Sequence, residues 1–187
     1  MMKIIGLAGS PRKNGNTDVL VQKALAGARA QGSETELFHL NELAARGCQA
    51  CYGCKKAGKC VINDDLTNVF TAIETADGIV LGSPIYFGRF TAQTATFMDR
   101  LYGYIKPDST SSLGAGKKFG LVFTQGQPDA GLYTGTTEAT ARVLARVGFE
   151  AGPGTLVGSG LREPGIAREN EQFLQAAFAI GQELAGR

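Results

Sequence analysis

KIIGLAGSPRKNGNTDVLVQKALAGARA, residues 3–30, decides the fold. Lys3 to Ala8 is a short apolar run that stops at Gly9, the pattern of a buried strand. Thr17 to Ala30 then sets Leu20, Ala24 and Ala28 at helical spacing, with Asn16 or Thr17 placed to cap the helix. The alternation repeats downstream. Glu34 to Leu40 reads as a second strand, and Asp64 caps a helix in which Leu66, Val69, Phe70 and Ile73 follow the i, i+3, i+4, i+7 pattern. Gly78 to Gly82 is a third strand, and Thr91 to Tyr104 a helix with Phe97, Met98 and Leu101 on one side. Lys118 to Thr124 is a fourth strand, and Thr137 to Val147 a helix built on Thr140, Val143, Leu144 and Val147. Phe149 to Val157 is a glycine-interrupted fifth strand, and Ile166 to Leu184 a closing helix. Five strands alternating with five helices imply an α/β, doubly wound parallel sheet with right-handed crossovers and helices on both faces.

Bulk properties narrow the function classes. The 187 residues fit a single domain, residues 1–187. A chain of this size buries roughly 70% of its unfolded surface and needs no metal to fold. A net charge of +2 with no basic–aromatic stripe gives no reason to expect a nucleic-acid partner. No apolar run reaches membrane-spanning length, so no membrane partner is expected. MMKIIGLAGS lacks a signal-peptide core and reads as the start of the first strand. The expected compartment is the cytoplasm, where clustered cysteines bind metal more often than they pair.

In a doubly wound sheet the ligand belongs at the carboxyl ends of the strands, where the strand order reverses. Three loops qualify. Gly9 to Thr17 opens the first helix, whose free N–H groups and positive dipole end suit a phosphate. Ser10, Asn16 and Thr17 can donate hydrogen bonds, and Arg12 can fork onto phosphate oxygens. The loop is neither a Walker loop nor a dinucleotide fingerprint, so a mononucleotide fits better than NAD. A well-capped polar connection is the competing reading. After the third strand, Ser83-Pro84-Ile85-Tyr86-Phe87-Gly88 offers a stiff turn, flat apolar faces and a glycine for close backbone approach. That setting suits an isoalloxazine ring, or simply the rim of a core. Thr124 to Asp129 is a turn placed to form a third wall.

All four cysteines of the chain fall in GCQACYGCKKAGKC, residues 47–60. Cys48, Cys51, Cys54 and Cys60 are spaced C-x2-C-x2-C-x5-C, as in iron–sulfur ligation. A [4Fe–4S] cluster, zinc, or free or disulfide-linked thiols all remain open on this spacing. Lys55, Lys56 and Lys59 flank the thiols. Their charge favours an anionic cluster and an acidic electron carrier, or merely solvates a basic loop. His39 is the only histidine and reads as a strand-end residue, so a nucleophilic triad has no support.

Taken together, GSPRKNGNT at 9–17, CQACYGCKKAGKCVINDD at 48–65 and SPIYFGRFTAQTATFMDR at 83–100 resemble the flavodoxin-like NAD(P)H-dependent FMN reductase superfamily, in its iron–sulfur flavoprotein-like branch. The resemblance implies the five-strand order 2-1-3-4-5. It places an FMN phosphate on Ser10, Arg12, Asn16 and Thr17. It places the ring against Pro84, Ile85, Tyr86, Phe87 and Gly88, with Gln125 and Gly126 nearby. It further implies an oxidoreductase with NAD(P)H as electron donor, a small-molecule or protein electron partner, and a homodimer or homotetramer. No side chain is needed as a covalent catalyst. Two other functions compete. One is a flavodoxin-type electron carrier with no substrate of its own. The other is a non-redox mononucleotide-binding module with zinc on the cysteines.

Overall fold

The computed structural model describes residues 1–186. Strands β1 (Lys3–Ala8), β2 (Glu34–His39), β3 (Gly78–Tyr86), β5 (Lys118–Thr124) and β6 (Glu150–Gly158) form a parallel sheet in the order β2-β1-β3-β5-β6. A two-residue strand, β4 (Arg89–Phe90), folds back antiparallel onto β3. Helices α1 (Asn16–Ala30), α3 (Leu66–Thr75), α4 (Ala92–Arg100), α5 (Thr134–Val147) and α6 (Glu171–Ala185) alternate with the strands, and a single turn, α2 (Cys54–Ala57), interrupts the cysteine loop. The expected five-strand order therefore stands, with a sixth short strand added.

The period-2 alternation of each strand sorts its side chains onto two faces. Ile5, Leu7, Ile79, Leu81, Phe119, Leu121 and Phe123 face α3, α4 and α5. Ile4, Val80, Val122 and Leu156 face α1 and α6. Near-continuous apolar strands are what burial on both faces requires. The edge strand β6 is the irregular one: its register against β5 slips between Phe119 and Gly120, beside Gly152 and Pro153. Proline and glycine are tolerated at such an edge bulge.

Several boundaries differ from the sequence expectation. β3 continues past Gly82 to Tyr86, with Pro84 in register with Thr124 of β5. α5 begins at Thr134, ahead of Thr137. The closing helix is two pieces, a 3₁₀ turn at Ile166–Glu169 and then α6. α1 starts after Gly15 and has no side-chain cap. Asp64 lies one residue before the N-cap of α3, yet its carboxylate accepts from Leu66 N at 3.2 Å.

Helices α1 and α6 touch backbone to backbone. A methyl group on Gly27 would stand 2.0 Å from the Phe178 carbonyl, and one on Gly181 would stand 1.7 Å from the Ala24 carbonyl. Neither helix can yield without moving a whole core face. Gly181→Ala is therefore expected to destabilise the protein by about 1–3 kcal/mol, although alanine is the better helix former. A denaturant melt compared with the parent measures it.

Candidate functional site

At the carboxyl ends of β1 and β3, where the strand order reverses, a crevice of about 310 Å³ opens. Ser10, Arg12, Gly15, Asn16 and Thr17 line it from the β1–α1 loop, Pro84, Ile85 and Tyr86 from β3, and Thr124, Gln125 and Gly126 from the end of β5. The three loops selected from the sequence thus meet at one place. Leu161, Arg162 and Pro164, from the loop after β6, form a fourth wall that was not anticipated.

The β1–α1 loop is held open by its own bonds. Ser10 Oγ accepts from Arg12 N at 3.1 Å, and Gly15 N donates to Arg12 O at 3.2 Å. Asn14 sits at φ 58, in the left-handed region. Its N–H donates to the buried carboxylate of Asp18 at 2.6 Å, which stabilises that turn. Asp18 also pairs with His39 Nε2 at 2.9 Å, so the lone histidine serves as a brace at the end of β2.

Two of the anticipated phosphate contacts are partly committed elsewhere. The Asn16 amide donates to Leu161 O at 3.2 Å and to Glu163 O at 2.9 Å, and accepts from Ala167 N at 3.0 Å. Asn16 therefore staples the fourth wall in place and carries Arg162 to the crevice. Thr17 Oγ1 shares a 2.6 Å hydrogen bond with Thr124 Oγ1, beneath the crevice. Arg12 is exposed at the rim, and none of its side-chain donors is bound within the chain among the described residues.

Gln125 is 4% exposed. Its Nε2 donates to Asp129 O at 2.6 Å, yet its Oε1 is the one buried side-chain polar atom without a partner among the described residues. An acceptor left bare in a binding cleft wants a donor from a ligand, because an unmet buried polar atom costs about 1–3 kcal/mol.

Phe87 and Gly88 do not line the crevice. They form the tip of the β3–β4 hairpin with φ values of 50° and 77°, the pattern of a two-residue primed turn. Strand alternation carries Ile85 inward, and the tip leaves the Phe87 ring fully in solvent. Thr136 Oγ1 bonds Gly88 O and ties this tip to α5.

Residues 2–147 match the family described as NADPH-dependent FMN reductase. The chain belongs to that family. Within the family its likeness runs to iron–sulfur flavoproteins. It is 46% identical over 99 residues to one from Methanocaldococcus jannaschii, a match covering 53% of this chain and 51% of the relative. It is 36% identical over 99 residues to one from Methanosarcina thermophila, covering 53% and 52%. The matches span about half the length of these relatives. Among solved structures, an NAD(P)H:quinone oxidoreductase from Methanothermobacter marburgensis superposes with a TM-score of 0.78 at 18% identity, over 100% of this chain and 98% of that one. An azoreductase from Bacillus anthracis gives 0.66 at 19% identity, over 99% of each. At such identities the likeness establishes the flavodoxin-like fold alone.

The chain's second candidate site is the cysteine loop. Cys48, Cys51, Cys54 and Cys60 are free thiols, and all four line one hollow of about 110 Å³ with Val61, Asp99, Arg100 and Tyr102. Among the described residues, no three His, Cys, Asp or Glu side chains stand close enough to share one metal ion. Zinc takes four ligands at about 2.0–2.3 Å, and a cubane takes one cysteine per iron; four thiols lining one hollow supply the donor set of either.

Two cations clamp the loop to the body. Lys55 lies 3.5 Å from the centroid of the Tyr102 ring and donates to Tyr102 O at 3.1 Å and to Ile105 O. Arg100, wholly buried, pairs with Asp64 at 2.9 Å and packs over the Phe70 ring. Burial alone would raise the Asp64 pKa. The Arg100 hydrogen bond and backbone donors, including Arg46 N, outweigh it and hold the carboxyl below its ordinary value. Asp64→Ala leaves the guanidinium buried without its counter-charge, so a loss of about 3–5 kcal/mol in unfolding free energy is expected. Chemical denaturation of the cofactor-free chain reads it directly.

Proposed function

We propose that the chain is an FMN-dependent oxidoreductase that takes electrons from NAD(P)H and passes them to a small-molecule or protein acceptor, with a [4Fe–4S] cluster on its four cysteines. The observation that carries this is the crevice at the β1–β3 switch point, with a free guanidinium at its phosphate end and a bare amide oxygen further in. Bound there, FMN would supply hydride and single-electron chemistry.

The chain's own residues would bind and orient the flavin. Arg12 and the N–H groups opening α1 would hold the phosphate. Ser10 and Thr17 would close around it, and Asn16 would act by fixing the fourth wall. Pro84, Ile85 and Tyr86 would pack against the ring. Gln125 Oε1 would accept from a ring N–H, with Gly126 keeping that approach open. Gly88 and the exposed Phe87 would serve at the rim. The cysteine hollow lies at the far end of α4 from the crevice, one helix of nine residues away, about 14 Å. That placement suits a cluster relaying single electrons to the protein surface.

Residues 1–187 are proposed to act as one FMN-binding domain in the cytoplasm. No helix among the described residues is long and apolar enough to cross a membrane. Neither a nucleic-acid nor a membrane partner is part of the proposal. A homodimer or homotetramer is proposed because Tyr86, Phe87, Tyr102 and Val143 all present apolar surface to solvent.

Arg12→Ala is expected to weaken FMN by about 1.5–3 kcal/mol, a loss confined to the phosphorylated flavin, so riboflavin binding should hardly change. Fluorescence titrations with both flavins check it, and equal FMN affinity in variant and parent would remove Arg12 from the phosphate site. Cys54→Ser should abolish iron and acid-labile sulfide while FMN stays bound. Elemental analysis beside the visible spectrum decides that, and zinc in place of iron would favour the non-redox reading. A parent protein that takes up no flavin would end the proposal.

A further inference from the structure

Arg100 closes α4 and is the most buried cation among the described residues, its side chain entirely out of solvent. A guanidinium has five N–H donors, and here each finds an acceptor. Nε donates to Cys60 Sγ at 2.9 Å. Nη1 donates to Arg46 O and Asp64 Oδ2, both at 2.9 Å. Nη2 donates to Ile62 O at 3.1 Å and Asp64 Oδ1 at 3.4 Å. Four acceptors are oxygen and the fifth is sulfur.

Asp64 already balances the charge of Arg100, so neutrality does not call for Cys60. A neutral thiol is a weak acceptor, a poor use of a buried charged donor in a site where every other donor meets oxygen. A sulfur committed to a metal carries negative charge and accepts strongly. Among the described residues no other thiol receives a side-chain N–H; Cys48 and Cys51 are exposed, and Cys54 is half-buried as Cys60 is, so the Arg100 bond alone sets Cys60 apart. The four thiols are therefore inequivalent, and Cys60 is the one wired to the core.

We propose that Arg100 is a positioning residue for the thiol site, fixing Cys60 as the inner ligand and, through Nε–H···Sγ, moving the reduction potential of a bound iron–sulfur cluster upward. The sign follows from charge. Reduction adds an electron to the cluster, and a hydrogen-bond donor on a fixed cation stabilises the more negative state. The inference rests on the cluster reading given under the proposed function.

The test uses the full chain prepared without oxygen, as parent, Arg100→Lys and Arg100→Gln. Iron, sulfide and FMN per chain are counted. The cluster midpoint is taken from a redox titration followed by electron paramagnetic resonance, with the flavin midpoint in the same sample as internal reference. A variant that keeps its iron should show a cluster midpoint more negative than the parent's, and an unmoved flavin midpoint. A cluster midpoint equal to the parent's overturns the inference. Where a variant loses iron or does not fold, the parent labelled with ¹⁵N-arginine decides. A ¹⁵N hyperfine coupling on the reduced-cluster signal supports the Arg100–Cys60 bond, and its absence overturns it. A parent free of iron and sulfide overturns the cluster reading and this inference together, whereas an iron-loaded parent with an insensitive midpoint overturns the inference alone.

Discussion

The architecture turns on a small polar knot where β1 and β3 end. Gly9 N donates to Gly82 O at 2.8 Å, Thr91 Oγ1 donates to Gly9 O at 2.7 Å, and Thr91 N donates to Ser83 Oγ at 3.1 Å. All of these groups are buried, so each must find its partner inside the protein. Thr91 also caps α4 by accepting from Thr94 N. The Thr94 hydroxyl fills the space beside Gly9, where a Cβ would stand 1.9 Å from it. Position 9 must therefore be glycine for reasons of volume, with no demand on its φ. One knot sets the floor of the crevice and the direction in which α4 leaves it.

At its other end α4 delivers Arg100 beneath the cysteine loop. The helix is thus a strut between two candidate cofactor sites, polar and pinned at both ends and apolar between, where Phe97 and Met98 enter the core. A buried ion pair such as Arg100–Asp64 adds little net stability over an apolar contact. Its value lies in geometry. The guanidinium gathers Arg46, Cys60, Ile62 and Asp64, which lie on both flanks of the loop and have no sheet to order them.

Much of this was legible in the chain. The strand–helix alternation gave the sheet, and the three segments chosen at strand ends converge on the crevice. What escaped was long-range or ambiguous. Pro84 reads as a breaker, yet β3 runs through it: the ladder with β1 ends at Gly82, so at Pro84 only the β5 side is paired and the strand is locally an edge, where proline is tolerated. Asn16 looks like a phosphate donor, but its partners lie at 161–167, beyond any local pattern. The fourth wall had a signal that went unused: its loop also leaves the carboxyl end of a strand, where the same rule applies. Arg100 had one too, since it falls three residues after Phe97 and four before Tyr104, on a face otherwise apolar.

The cysteine loop takes no part in strand pairing, and its described ties run to the start of α3, to α4, to the turn that follows α4 and, through Gly58 O, to Ser112 ahead of β5. Residues 47–53 can lengthen, shorten or change composition without shifting the register of any strand or disturbing the threonine knot. The framework can therefore trade one such loop for another by local insertion or deletion, provided the arginine and its aspartate are kept or discarded as a pair.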